Sequence, residues 1–129
     1  MKIIIVGASG TMGKHLVKAF EPDHEVITAA SKGCQLQVDI RSTTSIEKMY
    51  QEAGAFDALI STAGPSYVGP WKKLTDGSFR QGVEGKMMGQ INLVLIGQQY
   101  INAHGSFTLI SGALSHDPQK NVANASAAN

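Results

Sequence analysis

Ile3, Ile4, Ile5 and Val6 run together without polar interruption. Such a run predicts a strand over residues 2–6 covered on both faces, as strands of a parallel sheet are. Behind it, Met12, Leu16 and Phe20 recur at i, i+4 and i+8, which is one apolar face of a helix, stopped by Glu21-Pro22. The pattern then repeats. His24–Ala30 reads as a second strand centred on Val26 and Ile27, and Gln35–Ile40 as a short apolar extension ending at Asp39. Thr44-Ser45-Ile46-Glu47 is a capping-box pattern opening a helix through Ala53, with Ile46, Met49, Tyr50 and Ala53 on its apolar face and Gly54 as its stop. Phe56–Thr62 is another buried strand. Strand, helix and strand alternate, which predicts an α/β class with a doubly wound parallel sheet.

Pro65–Leu74 holds Gly69, Pro70 and Trp71 and reads as a loop or broken helix. Thr75-Asp76 caps a long helical segment predicted to reach about His104. Its glycines are unusual, because each costs about 1 kcal/mol against alanine in a helix interior. Gly82, Gly85 and Gly89 fall on one side, so that another backbone can approach closely. That backbone is either the chain's own sheet or a partner subunit. Gly105 is expected to end the helix, and Ser106–Ser111, with Phe107, Leu109 and Ile110, to form the next strand. From Asn121 the residues are small and alanine-rich, as if opening a helix near Asn124. Residues 1–129 therefore read as a single domain forming the N-terminal part of a longer fold, C-terminally incomplete. The edge of the Ser106–Ser111 strand is left for a partner chain or further residues to cover.

Composition narrows the classes. At 129 residues there is enough chain for one core, and 43% hydrophobic against 16% charged residues describes a globular protein. The net charge is +1 with the basic residues scattered, so no nucleic-acid surface is expected. The longest apolar run, around Ile91–Ile96, contains Asn92 and is too short for a membrane span. Met1 leads straight into the first strand, which leaves no room for a signal peptide. Cys34 has no partner for an internal disulfide, and this suits the cytoplasm. His15, His24, His104 and His116 are isolated, so no metal site is expected.

The candidate chemistry lies in Gly7-Ala8-Ser9-Gly10-Thr11-Met12-Gly13. A glycine string between a strand and a helix is a phosphate-site pattern. Gly7 can make the tight turn, Gly10 leaves no Cβ between the backbone and a pyrophosphate, and Gly13 lets the helix lie close to the strand. Free N–H groups of Ser9, Thr11 and Met12 and the positive end of the helix dipole then face the phosphates. The spacing is G-x-x-G-x-x-G rather than G-x-G-x-x-G. About twenty residues further on, a dinucleotide fold usually places an acid on the adenosine ribose. Here the chain reads Ala29, Ala30, Ser31, Lys32. A hydroxyl beside a lysine suits a 2′-phosphate, which favours NADP(H) over NAD(H). A solvated loop lysine is the alternative reading of Lys32.

Together these residues resemble the short-chain dehydrogenase/reductase family. Gly7–Gly13 is similar to its glycine motif, in the spacing of its extended and atypical branches. Asp39-Ile40 falls where the family has an aspartate and an apolar residue touching the adenine. Ser61-Thr62-Ala63-Gly64 resembles its N-N-A-G motif, and so assigns Ala63 and Gly64 to the cofactor groove. The resemblance implies a Rossmann fold, an NAD(P)(H) cofactor, a small-molecule substrate and a homodimer contact through the Gly82–Gly89 helix. The catalytic half departs from the family pattern. Ser111-Gly112-Ala113 matches the segment of the catalytic serine, with Ser111 a shifted substitute. Ala123-Asn124-Ala125-Ser126-Ala127-Ala128 matches Tyr-x-Ala-Ser-Lys-Ala, which puts Ala123 and Ala127 at the acid–base positions. Alanine can neither deliver a proton nor lower a neighbour's pKa. Lys86 stands at the place of the family's helix asparagine, and Tyr67 in the loop is more in keeping with packing than with chemistry. Two function classes follow. One is hydride transfer between NADP(H) and a carbonyl or alcohol, with Ser111 and Lys86 as substitute groups. The other is a non-catalytic NADP(H)-binding module that senses an effector or acts through a partner.

Overall fold

The computed structural model describes residues 1–129. Strands β1 (Lys2–Val6), β2 (Glu25–Ala30), β3 (Leu36–Gln37), β4 (Phe56–Ser61) and β5 (Ile101–Leu109) form one sheet in the order β3-β2-β1-β4-β5. Every pairing is parallel. The order reverses beside β1: the chain moves outward to β2 and β3, then returns to place β4 on the other side. Helices α1 (Thr11–Phe20) and α2 (Thr43–Ala53) make the first crossovers. A second helical run comprises α3 (Asp76–Gly82), a π-helical segment (Val83–Met88) and α4 (Gly89–Gly97), and α5 (Ala123–Ala128) comes last.

Alternation within the buried strands divides the core between the two faces. Ile3 and Ile5 point toward α1, against Leu16, Val17 and Phe20. Ile4, Val6 and Leu59 point the other way, against Ile46, Met49 and Tyr50 of α2 and Leu93 of α4. Each such side chain removed from water contributes about 1.5–3 kcal/mol. Tyr50 anchors the second face. It is fully buried, stacks between Phe56 and Tyr100, and donates its hydroxyl proton to the Leu93 carbonyl at 2.6 Å. Tyr50→Phe should keep the packing and cost about 0.5–1.5 kcal/mol for the lost bond. Thermal unfolding checks this.

Three sequence expectations are corrected here. The α2 cap is Ser42, whose side chain accepts from the Ser45 amide at 3.2 Å, rather than Thr44. Ser45 in turn receives the Asp39 amide on its Oγ at 3.0 Å, so the chain must already be turning at Thr43. The second correction concerns the long helix, which stops at Gly97 and not near His104. Gly97 sits where a Cβ would lie 2.8 Å from the Phe107 ring, and by Ile101 the chain is already paired with Phe56. Between that pair and Ala58–Ser106 the register shifts, with His104 at φ +65°, so residues 102–105 form a bulge before regular pairing resumes. Gly105 lies inside β5 rather than at a helix end. Third, the glycine stripe is filled from within the chain. A Cβ would lie 2.6 Å from Asn124 Cγ at Gly82, 3.1 Å from the Pro65 ring at Gly85 and 2.8 Å from the Ile40 side chain at Gly89. The close approach is made within the chain, by α5, the loop after β4 and the turn after β3 rather than by the sheet itself.

No helix is long and apolar enough to cross a membrane.

Candidate functional site

Where β1 ends, the chain turns at Gly7 with φ +86°, its amide donating to the Ala29 carbonyl at 2.8 Å. A Cβ there would lie 2.8 Å from Thr62 Oγ1 and 2.9 Å from the Ala63 amide nitrogen, so the loop lies directly on the end of β4. Gly10 caps α1 without any side-chain hydrogen bond, which leaves the first-turn N–H groups free of protein side chains. Gly13 is buried beneath, where a Cβ would lie 2.6 Å from Ala8 Cα. The three glycines thus have three separate jobs: turn, open cap and close packing.

In front of this helix end lies a groove of about 760 Å³ at the carboxyl ends of β1, β2 and β4. That is the crevice where open parallel sheets bind ligands, beside the point at which strand order reverses. Among the residues singled out from the sequence, the groove is lined by Gly7, Ser9 and Gly10 of the first loop and Ser31 after β2. Asp39 and Ile40 after β3 and Ala63 and Gly64 after β4 complete that set. Thr11, Met12, Gly13 and Lys32 are not on its wall: Gly13 lies underneath, and Met12 and Lys32 are exposed. The sequence reading missed Arg41 and Lys48, the two cations that do line the groove. Arg41 follows directly on Asp39-Ile40, and its role depends on how β3 bends into α2. An uncapped helix start, glycines where side chains would collide and a crevice of this volume together fit a dinucleotide.

Arg41 grips Asp39 with both arms, Nη2 to Oδ2 at 2.8 Å and Nε to Oδ1 at 2.9 Å. The Arg41 side chain holds the Asp39 carboxyl below the usual carboxylate range, against a smaller opposing effect of burial. Both side chains are about half exposed, so the pair orients the carboxylate rather than stabilising the fold. Ser31 is held by its backbone, whose carbonyl accepts from Gln37 Nε2 at 2.9 Å.

Beyond Gly64 stands a second group of polar side chains. Gly64 has φ +151°, and a Cβ on it would lie 2.9 Å from Lys86 Cβ and 3.2 Å from Lys86 Cα, so the π-helical segment rests on the groove's edge. Such segments interrupt regular helices most often at functional positions. The Lys86 ammonium donates to the side-chain oxygen of Asn129, and the Ser111 hydroxyl donates to the Asn129 backbone oxygen at 2.6 Å. Burial pushes Lys86 below the ordinary lysine range. Ser111 lies two residues past β5, not at its last position, and the backbone before it is fixed by buried Gln90. The Gln90 amide accepts from the Ile110 N–H at 2.8 Å and donates to its carbonyl at 2.9 Å.

The structure therefore brings Lys86 and Ser111 together, and it adds Asn129, a residue that sequence matching missed. Ala127 is exposed and Ala123 half-buried, and neither is what α5 brings to Lys86. Asn124 serves packing: its Oδ1 accepts from the Tyr67 amide at 2.8 Å and its Nδ2 donates to the Phe79 carbonyl. The Tyr67 ring packs over Gly69, where a Cβ would lie 2.6 Å from its Cζ. No group of three His, Cys, Asp or Glu side chains converges on a possible metal position.

Comparison with known proteins found no match among curated proteins. Among solved structures, the protein lin1944 from Listeria innocua is 41% identical, with a TM-score of 0.97 over 100% of this chain and 64% of its own. A small-chain dehydrogenase is 27% identical at a TM-score of 0.91, over 100% of this chain and 66% of its own. A structure of a small-chain dehydrogenase in complex with NADPH gives the same identity and TM-score, with 58% of that chain covered. This chain thus spans about two thirds or less of the length of these relatives. Its five-stranded parallel sheet is Rossmann-like, the fold that it shares with them. The NAD dependent epimerase/dehydratase family matches residues 3–88, from β1 through the π-helical segment that carries Lys86. On that match over most of its length, the chain belongs to the NAD dependent epimerase/dehydratase family.

Proposed function

We propose that this chain binds NADP(H) in the groove over α1 and serves an oxidoreductase that moves hydride between that cofactor and a small carbonyl or alcohol. The observation that carries the reading is the continuity of the site. The open helix end and the glycine cradle line the groove as far as Gly64, the Lys86 stem packs on Gly64 from outside, and Asn129 and Ser111 follow on from Lys86. A nicotinamide bound there supplies the hydride. The α1 amides would hold the pyrophosphate, Ile40 would touch the adenine, and Ala63 and Gly64 would let the cofactor lie flat on the end of β4. Lys86 would hold the proton needed at the carbonyl oxygen, and the Ser111 hydroxyl would polarise that oxygen.

With neither tyrosine nor lysine on α5, this chain should bind NADPH yet turn over simple ketones and aldehydes below about 1 s⁻¹, the lower end of the usual enzymatic range. An NADPH-consumption screen over a carbonyl panel measures it. Turnover well inside the usual range would show the loss of the pair to be inconsequential. NADPH binding with no turnover on any carbonyl would leave the non-catalytic module.

Preference for NADP(H) over NAD(H) is supported by Ser31 on the groove wall, the absence of an acid directly after β2, and the cations Arg41 and Lys48 nearby. Lys32, exposed beside Ser31, would reach a 2′-phosphate only from outside the groove. Charge-assisted bonds to that phosphate are worth about 1.5–3 kcal/mol, a preference of about 10- to 150-fold. Calorimetry with both cofactors tests this, and Arg41→Ala and Lys32→Ala identify which cation supplies it. A homodimer, implied by the same resemblance, would have to use a side of α4 away from the filled glycine stripe. Ile91 and Leu95 are exposed there, and sedimentation of Leu95→Glu against the parent chain is the check.

A further inference from the structure

Lys86 lies on the π-helical segment, its stem against Gly64 and its ammonium turned to Asn129 at the end of α5. That ammonium makes no other hydrogen bond, and no Asp or Glu side chain pairs with it. The elements packed against the segment are α3, α4 and α5. The charged side chains of α3, Asp76 and Arg80, pair with each other at 2.9 Å, and Arg80 also reaches Glu84 of the segment itself at 3.8 Å. Neither α4 nor α5 carries a charged residue. A lysine placed like this is aimed by a single neutral side-chain acceptor. The same Asn129 receives the Ser111 hydroxyl on its backbone oxygen, and a Cβ on Gly112 would lie 2.9 Å from its Nδ2. One residue therefore sets the relation between the two polar groups at the groove's edge.

We propose that Asn129 is a positioning residue, holding the Lys86 ammonium beside Gly64 at the groove's edge so that a π-helical lysine and the asparagine following Ala128 do the work of the missing Tyr–Lys pair. This rests on reading the groove as an oxidoreductase site. In reduction of a carbonyl, the hydride's electron pair goes to the carbonyl carbon. One N–H bond of Lys86 breaks as an O–H bond forms, and the neutral amine regains its proton from water. Asn129 stays chemically unchanged. Its amide oxygen stabilises the charged form of Lys86 against the burial that disfavours it.

The test is competitive acetylation of the cofactor-free chain across pH, read lysine by lysine by mass spectrometry, with exposed Lys72 as the internal standard. In the parent chain, Lys86 should titrate below the ordinary lysine range. Asn129→Leu removes the acceptor and should move the Lys86 midpoint further down, Asn129→Asp should move it up, and Asn129→Gln should restore it in part. A merely structural role would not give opposite shifts from Leu and Asp, and a midpoint unmoved in both overturns the proposal. NADPH binding, followed by fluorescence in the same variants, separates the two readings. Failure of every form to bind NADPH would sink the oxidoreductase reading. Intact binding with an unmoved Lys86 midpoint would sink only the role of Asn129.

Discussion

Gly13→Ala should weaken NADPH binding by about 100-fold or more and destabilise the chain by about 1–3 kcal/mol. The added methyl would lie 2.6 Å from Ala8 Cα and 2.8 Å from the Gly7 carbonyl carbon, both backbone atoms that cannot step aside as a side chain can. Overpacking of this kind costs about 1–3 kcal/mol. Relief requires α1 to lift away from β1, carrying with it the first-turn N–H groups that face the groove. Two charge-assisted bonds to a pyrophosphate, at about 1.5–3 kcal/mol each, account for the loss of affinity. Gly10→Ala gives the control. Its methyl meets only the Gly7 carbonyl oxygen, at 3.2 Å, and otherwise enters the space in front of the helix. Binding should weaken there with little change in melting temperature. Calorimetric titration and thermal unfolding of the two variants separate packing from recognition, and equal losses of stability in both would show the argument from Gly13 to be wrong.

For Lys86→Met, on any carbonyl that the parent chain reduces measurably, the expected loss is about 10²–10⁴-fold in kcat. Affinity for NADPH should stay within about threefold, because Lys86 meets the groove through its stem at Gly64 and methionine keeps that stem. The pH dependence carries a sign. A general acid must be protonated, and burial pushes Lys86 below the ordinary lysine range, so the parent's reduction rate should fall at a pH lower than a solvated lysine would give. Stability follows the same group in the other direction. The folded chain holds this proton less tightly than the unfolded one. The cost is therefore present at neutral pH and relieved as pH rises through the folded value toward about 10.4. Lys86→Met should accordingly lose its stability advantage, or deepen its deficit, as the pH is raised through that window. A flat difference between the two unfolding curves would contradict the burial of the ammonium.

Much of the fold was legible because it follows from local rules. Ile3–Val6, unbroken by any polar residue, and Phe56–Ser61, with Ala58, Leu59 and Ile60 at its centre, read as buried strands, and helices between strands of one sheet favour parallel pairing. The glycine loop was legible for the same reason, since a glycine between strand and helix signals a backbone need that no side chain tolerates. The end of the long helix was not. Leu95, Ile96 and Ile101 continue an acceptable helical pattern, and only the pairing of Ile101 with Phe56 and the seat of Gly97 against Tyr50 and Phe107 stop it. Periodicity reports which side is apolar, and two conformations can satisfy the same short run.

The sequence by itself determined the alternating architecture, the glycine loop between strand and helix and the alanines at 123 and 127. These depend on residue type and near neighbours along the chain. The tertiary structure alone decided which surfaces those residues meet. Gly82, Gly85 and Gly89 signalled a close approach, but its makers, Asn124, Pro65 and Ile40, come from three separate parts of the chain. Ser31 and Lys32 are adjacent, yet only the first lines the groove, while Arg41 reaches it from the turn into α2. Asn129 lies 43 positions from Lys86 and 18 from Ser111, and nothing in its neighbours marks it. A side chain's chemistry is local, but its desolvation and its hydrogen-bond partners are set by whatever the rest of the chain packs around it.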